Sequence, residues 1–261
     1  MVQPPKDLTQ FSSFVQIVQA LRGPEGCPWD KEQTHKSLAK YAIEEAHEYA
    51  EAVDLDDVEL MKEELGDILL QVVLNSIVGE QESKFELSQV IESISEKMVR
   101  RHPHVFSSDT ADSTQTVKDN WEAIKAKEKP KKPGFNLPPS LPALAGSLKI
   151  GEKTKKVGFD WSHTDDVFGK LDEEIAELQE AITSEKTEDI EAELGDCLFT
   201  LAQIGRHLGI DPEQALRKTN QRFEKRYVYM TDQLSGTDKT LGDLSMSEKE
   251  LLWNKAKLNT K

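Results

Sequence analysis

The stretch Glu44-Glu45-Ala46-His47-Glu48, followed by Glu64-Leu65-Gly66-Asp67, decides the fold because the chain contains this carboxylate pattern twice. The second copy reads Glu173-Glu174-Ile175-Ala176-Glu177 and then Glu193-Leu194-Gly195-Asp196. Each acid of the first copy lies 129 residues before its counterpart in the second. A repeat that preserves the spacing of these acids indicates two related domains.

Helical geometry places the acids in pairs. Residues three apart project from nearly the same side of an α-helix, so Glu45 pairs with Glu48, and Glu64 with Asp67. Apolar residues beside them put the acids at the border of a core, where carboxylates need a compensating cation. In an acidic chain a single motif of this kind usually lies on a solvated helix face. Its duplication with unchanged spacing favours a metal-binding site. Oxygen ligands select hard cations, so Mg²⁺ is the first candidate and Mn²⁺ the second.

The length of 261 residues suits two compact domains. Residues 130–142 hold five of the eleven prolines, too many for a helix interior. We predict an N-terminal domain over 1–128, a semi-rigid proline-rich linker over 129–142, and a C-terminal domain over 143–261.

Helical periodicity dominates, which predicts an all-α tandem repeat. Ser83-x-x-Glu86 has the pattern of a capping box, and Asp211 followed by Pro212 is typical of a helix start. Helices are expected over about 7–22, 31–53, 57–79, 84–101, 115–128, 143–156, 166–184, 187–208, 212–234 and 247–257.

Composition excludes several classes of protein. With only Cys27 and Cys197, a disulfide framework is excluded, and we expect Cys197 in the core and Cys27 in a structural turn. The chain has no apolar run of membrane-spanning length and no signal peptide at its start, so we expect a soluble, cytoplasmic protein without membrane partners. An excess of 48 acidic over 33 basic residues argues against nucleic-acid binding.

Each acidic pair of helices leaves much of a shared apolar face uncovered. Two such hairpins would complete a four-helix bundle. We prefer homodimerisation through each domain, and pairing of the two copies within one chain is the open alternative.

A second constellation, of cations and an indole, also recurs. Cations one turn apart can hold phosphate oxygens, and an indole can stack on a nucleobase, although late basic residues and a lone tryptophan often have structural roles. The first copy supplies Lys97, Arg100, Arg101, Trp121 and Lys125, and the second supplies Arg222, Lys225, Arg226, Trp253 and Lys257.

These motifs, together with Gly26-Cys27-Pro28-Trp29-Asp30 and the run Arg100 to Phe106, resemble the MazG family over nearly the whole chain. The resemblance implies an all-α fold, a dimer of helical domains, Mg²⁺ dependence, and hydrolysis of nucleoside triphosphates, ATP among them, to monophosphate and pyrophosphate. It also implies a part in nucleotide-pool housekeeping. The metal ligands it implies are Glu174, Glu177, Glu193 and Asp196, with Glu45, Glu48, Glu64 and Asp67 in the first copy.

The same resemblance implies that Lys170 contacts nucleotide, together with the cations and tryptophans above. We prefer the C-terminal site for two reasons. The first copy has Tyr41 at the position equivalent to Lys170, and Pro103 ends its helix just after Arg101. The catalytic candidates are Glu173, Glu174 and Glu193: a metal-activated water attacks the α-phosphorus, and Glu173 or Glu44 is the candidate general base.

Two other readings stay open at this stage. A ferritin-like carboxylate protein uses Glu-x-x-His pairs, which Glu44 and His47 match, but Ala176 replaces the histidine in the second copy. The second alternative is a non-catalytic helical scaffold whose acidic faces bind partners. A Walker-type glycine loop is absent from the sequence, which argues against ATP-driven mechanical work.

Overall fold

The computed structural model describes residues 2–107, 110–128 and 134–260. Within these ranges the regular structure is helical and contains no strand, so the all-α prediction is confirmed. None of the described helices combines the length and apolar character needed to cross a membrane. The helices are α1 Phe11–Arg22, α2 Pro28–Glu32, α3 His35–Leu55, α4 Val58–Gln81, α5 Leu87–Arg101, α6 Pro103–Phe106, α7 Thr114–Glu128, α8 Ala143–Lys155, α9 Thr164–Ser184, α10 Thr187–His207, α11 Pro212–Asp232 and α12 Met246–Asn259, with a 3₁₀ turn at Leu241–Asp243.

The chain divides into two compact units, Met1–Lys131 and Lys132–Lys261. The predicted linker begins at residues 129–133, which lie outside the described ranges, and its described part, 134–142, has no helix. The predicted domain limits remain a prediction.

Each unit is built on a helical hairpin. In the first unit α3 packs along α4, and in the second α9 packs along α10. Both hairpins turn through a residue in the left-handed conformation, Asp56 at φ 55° and Glu185 at φ 56°. The following residue leads directly into the next helix, so the connection is short enough to bring α3 against α4, and α9 against α10. This places the acids of two sequence segments on adjacent helices.

The two units have different interiors. The core of the first is apolar and is formed by Val18, Leu38, Val73, Leu74, Ile77 and Val78. In the second, a polar network lies where α8 packs on α10: Gln203 is fully buried and donates from Nε2 to the Ser147 carbonyl at 2.8 Å. Arg206 donates from Nε to Gln203 Oε1 at 2.7 Å and from Nη1 to Asp160 Oδ2 at 2.9 Å. The network therefore ties α10 to α8 and to the segment before α9.

Two local predictions were wrong. The helix expected over 31–53 is two helices, since Thr34 starts α3 as its N-cap, accepting a hydrogen bond from Ser37 N at 3.2 Å. The expected capping box at Ser83 is absent, because Ser83 has φ 54° and α5 instead begins after Glu86, which pairs with Gln89. The predicted start at Asp211 is confirmed: its carboxylate accepts from Gln214 N at 3.0 Å.

Candidate metal centres and cationic clusters

The first acidic group lies on the hairpin of α3 and α4. One carboxylate oxygen from each of Glu45, Glu48 and Glu64 lies within 4.8 Å of the others. Glu64 is buried, Glu45 is half-buried and Glu48 is exposed. Asp67, one turn after Glu64, lies outside this group of three but is half-buried beside it. Three of the four predicted ligands in this copy therefore meet.

The electrostatics of this group favour a cation. Burial, then the charges of Asp67 and Glu48, raises the pKa of Glu45, and burial, then the charges of Glu48 and Asp67, raises the pKa of Glu64. Oε2 of Glu64 is buried without a hydrogen-bond partner. Gln71 donates from Nε2 to Glu45 Oε1 at 3.4 Å, and its own Oε1 is buried without a partner. An oxygen-only set with unsatisfied buried oxygens fits a hard divalent cation.

The second acidic group repeats this arrangement on α9 and α10. Glu174, Glu177 and Glu193 also bring carboxylate oxygens within 4.8 Å of one another, and Glu174 is the buried member. Burial, followed by the charge of Glu174, raises the pKa of Glu177. Asp196 is exposed and lies outside this group of three. The position of Ile68 is taken by Cys197, which is buried as predicted.

A lysine distinguishes the second group from the first. Lys170 Nζ lies 2.6 Å from Glu174 Oε1 and 2.7 Å from Glu173 Oε1, and these hydrogen bonds raise the pKa of Lys170. Its counterpart Tyr41 instead packs against Trp29, with ring centroids 6.0 Å apart. Among the residues described, ion pairs with lysine or arginine involve none of Glu45, Glu48 and Glu64. Within the described ranges, the second group thus has a paired lysine and the first has none.

The cationic cluster of the first unit is paired with a carboxylate. Glu128 Oε1 accepts from Arg100 Nε at 2.8 Å, and its Oε2 accepts from Arg101 Nη2 at 2.5 Å. The guanidinium of Arg101 lies 5.0 Å from the centroid of the Trp121 ring. Lys97 is half-buried, whereas Lys125 is exposed and lies 3.4 Å from Glu122.

The second cationic cluster is more open. The Arg226 guanidinium lies 5.5 Å from the Trp253 ring centroid, and its Nε is buried without a hydrogen-bond partner. Arg222 and Lys225 are exposed, and Lys257 Nζ lies 3.3 Å from Asn254 Oδ1. Trp253 also packs on Phe223, with ring centroids 4.8 Å apart. Beside it lies a largely apolar cavity of about 490 Å³, lined by Phe223, Tyr227, Met230, Leu241, Gly242, Met246, Lys249, Glu250 and Trp253.

The structure therefore assembles three acids of each copy, and it places the arginine next to the tryptophan in each cationic cluster. Among the described residues, no side chain of a cationic cluster contacts a carboxylate of an acidic group. Sequence reasoning missed Gln71 and Glu128. Each lies seven residues, two helical turns, after a predicted site residue, Glu64 and Trp121 respectively, and this same-face spacing was the available signal.

Comparison with known proteins shows which family the chain belongs to. The MazG nucleotide pyrophosphohydrolase domain matches the chain twice, over residues 33–106 and 165–230. A nucleoside triphosphate pyrophosphohydrolase/pyrophosphatase MazG of Thermotoga maritima is 41% identical over 95% of this chain and 95% of its own. A nucleoside triphosphate pyrophosphohydrolase of Escherichia coli K12 is 35% identical over 96% and 98%. The crystal structure of a mazG-related protein from Thermotoga maritima is 27% identical and covers 44% of this chain and 98% of its own, with a TM-score of 0.39. The chain belongs to the MazG family and carries its domain in two tandem copies.

Proposed function

We propose that this protein hydrolyses nucleoside triphosphates to nucleoside monophosphate and pyrophosphate with Mg²⁺ as cofactor, Mn²⁺ being the second choice. The observation that carries the proposal is the duplicated group of three carboxylates, each with one buried member, in a chain of this family. We further propose that the protein acts in cytoplasmic nucleotide-pool housekeeping. The domain limits proposed are 1–128 and 143–261, joined by 129–142.

Each copy of the domain would bind its cation through its own acids. Glu174, Glu177 and Glu193 would hold it in the C-terminal copy, and Glu45, Glu48 and Glu64 in the N-terminal copy. Asp196 and Asp67, each three residues beyond the α10 or α4 ligand, would complete these sets. When bound, Mg²⁺ neutralises phosphate oxygens and lowers the pKa of a water that it coordinates.

Side chains of the C-terminal copy would position the nucleotide. Arg222, Lys225 and Lys257 extend from α11 and α12 as exposed cations that suit phosphate oxygens. Trp253, beside the apolar cavity, offers a face for the base. Lys170 would turn from Glu174 to the phosphates. Glu173, the candidate general base, is exposed and accepts a hydrogen bond from Lys170 Nζ at 2.7 Å.

The uncovered apolar faces support a homodimer. Leu65, Leu69 and Val72 on α4 are exposed, as are their counterparts Leu194, Leu198 and Leu201 on α10. Such rows at helical spacing normally pack on another helix. We propose that a second copy of the chain covers them and completes four-helix bundles, with pairing of the two copies within one chain as the alternative.

Product analysis tests the activity. The full chain is incubated with each common nucleoside triphosphate and Mg²⁺, and products are followed by ³¹P nuclear magnetic resonance. Monophosphate and pyrophosphate in equal amounts are expected, and chelation of the metal should stop their formation. Diphosphate with inorganic phosphate, or no phosphate product from any common triphosphate, would contradict the proposal.

A further inference from the structure

The two cationic clusters differ in what already occupies them. In the N-terminal copy, one carboxylate, that of Glu128, bridges Arg100 and Arg101 through contacts of 2.8 and 2.5 Å. A further bond runs from Arg101 Nε to Glu128 Oε2 at 3.2 Å, so the guanidinium is held through two nitrogens. Two-point, charge-assisted binding of this kind is how a guanidinium also holds a phosphate.

The C-terminal copy has no acid at the matching position. Trp121 and Trp253 lie 132 residues apart, as do Lys125 and Lys257, and the same offset places Thr260 opposite Glu128. The Thr260 hydroxyl donates to the Ala256 carbonyl at 2.8 Å. Arg226, the counterpart of Arg101, retains a buried Nε without a hydrogen-bond partner. One cluster thus has an internal anion, and the other has an unsatisfied donor.

We propose that Glu128 is an internal competitor for phosphate that occupies the N-terminal cationic cluster, so that a triphosphate binds the C-terminal copy and enters the N-terminal copy only when Glu128 is displaced. This rests on the proposed function, because it assumes that the cationic clusters bind triphosphate.

The contact is suited to such competition. The side chains of Arg101 and Glu128 are only 10% and 17% exposed, so water screens the pair weakly. Hydrogen bonds from Arg101 and then Arg100 lower the pKa of Glu128 to about 2, which keeps it ionised at neutral pH. Glu128 is also tethered through α7, which packs on α5. Tethering of this sort gives an effective concentration of at least about 1 mM, against which a free triphosphate must compete.

The opposing features of the acidic groups fit the same division. The N-terminal acids have no lysine partner within the described residues, whereas Lys170 lies 2.6 Å from Glu174 among the C-terminal acids and would exchange that contact for a phosphate oxygen. The N-terminal copy would therefore still bind a divalent cation while Glu128 excludes the triphosphate.

Binding stoichiometry tests the proposal. The probe is α,β-methylene-ATP, which carries a carbon bridge at the bond to be cleaved, titrated with Mg²⁺ into the full chain by calorimetry. We expect one probe bound per parental chain and two per chain for Glu128→Gln. The exchange Thr260→Glu, which places a carboxylate at the equivalent C-terminal position, should weaken C-terminal binding by at least about tenfold. Asp119→Asn, which removes an exposed charge from the same helix, is the matched control and should bind one.

Several outcomes would overturn the inference. Two probes per parental chain, or a folded Glu128→Gln variant that still binds one, would show that Glu128 excludes nothing. If Glu128→Gln does not fold, by circular dichroism, the Thr260→Glu exchange decides, and undiminished binding contradicts the proposal. These results leave the proposed function intact when the parental chain releases pyrophosphate. Absence of both probe binding and pyrophosphate release from the parental chain would remove the proposed function and this inference with it.

Discussion

Replacing Gly151 with alanine should destabilise the C-terminal unit, whereas the same change at Gly146, on the same helix α8, should stabilise it. A Cβ at Gly151 would lie 1.9 Å from Gln203 Oε1 and 2.4 Å from Arg206 Nε. A Cβ at Gly146 meets no atom within 4 Å. The pair of variants isolates one close contact, because both exchange glycine for alanine within one helix.

The expected magnitude follows from two opposing terms. Alanine is favoured over glycine in a helix by roughly 0.5–1 kcal/mol, which is the whole effect at Gly146. At Gly151 the added methyl group must displace Gln203, which is fully buried and hydrogen-bonded to Ser147, at a cost of about 1–3 kcal/mol. The net loss at Gly151 is therefore at most about 2.5 kcal/mol, or up to roughly 10 °C in the unfolding midpoint of a unit of this size. Because both variants share the propensity gain, their stabilities should differ by the cost of displacing Gln203, about 1–3 kcal/mol.

Differential scanning calorimetry of the full chain measures both midpoints. The activity of the Gly151→Ala variant should be lost only near the lowered unfolding midpoint of the C-terminal unit. The helix that carries Glu193, α10, unfolds together with that unit. Equal midpoints for the two alanine variants would show that Gln203 and Arg206 move away from the added methyl group without a cost in stability, which would refute the reasoning.

Three further predictions concern charge, metal and assembly. Asp160→Asn should cost about 2–3 kcal/mol at neutral pH, because it leaves the Arg206 guanidinium buried without its charged partner, whose hydrogen bonds lower the pKa of Asp160 from 3.8 to about 2. This stability is fully present above pH 3.8 and is lost as the pH falls through about 2, so the difference from the parent should vanish there in acid-unfolding curves. Mg²⁺ at a hundredfold excess over its dissociation constant should raise the unfolding midpoint by about 5–10 °C. The variants Glu64→Gln and Glu193→Gln should each remove part of that rise. An unchanged rise in both variants would exclude these acids as ligands. Val72→Lys combined with Leu201→Lys should convert the proposed dimer into monomers, as measured by the molar mass from light scattering. The control Leu258→Lys, at a position 79% exposed, should leave the molar mass unchanged. A dimer that persists in the double variant would place the interface elsewhere.

The sequence predicted the features that depend on local spacing. The ends of α9 to α12 fall within a few residues of the predicted limits, because their apolar periodicity and the start signal at Asp211 act over single turns. The approach of Lys170 to Glu174 follows the same rule, since the two lie four residues apart on one helix. The acidic groups were predictable because duplication fixed the spacing within each helix.

Features that depend on distant partners were not predictable in this way. The spacing from Trp121 places Glu128 on the same helix face, but it does not reveal the partner of Glu128, Arg101, which lies 27 residues away in the sequence. Gln203 and Arg206 look like solvated positions in sequence, yet they are buried because Ser147 and Asp160 supply their hydrogen bonds from other elements. Ser83 has the residue type of an N-cap, but its left-handed backbone ends the turn after α4 instead. In each case tertiary contacts decide what local propensity leaves open.

Pyrophosphate release by a variant with Glu64→Gln, Asp67→Asn, Glu193→Gln and Asp196→Asn measures whether the acidic groups are needed for hydrolysis. The matched control is Glu59→Gln with Asp189→Asn, two exposed acids on the same helices α4 and α10 that are paired with Lys62 and Lys186. We predict a loss of at least about 100-fold in the fourfold variant, with folding retained, and the parental rate in the control. Parental pyrophosphate release from the folded fourfold variant would show that these acids do not hold a catalytic metal.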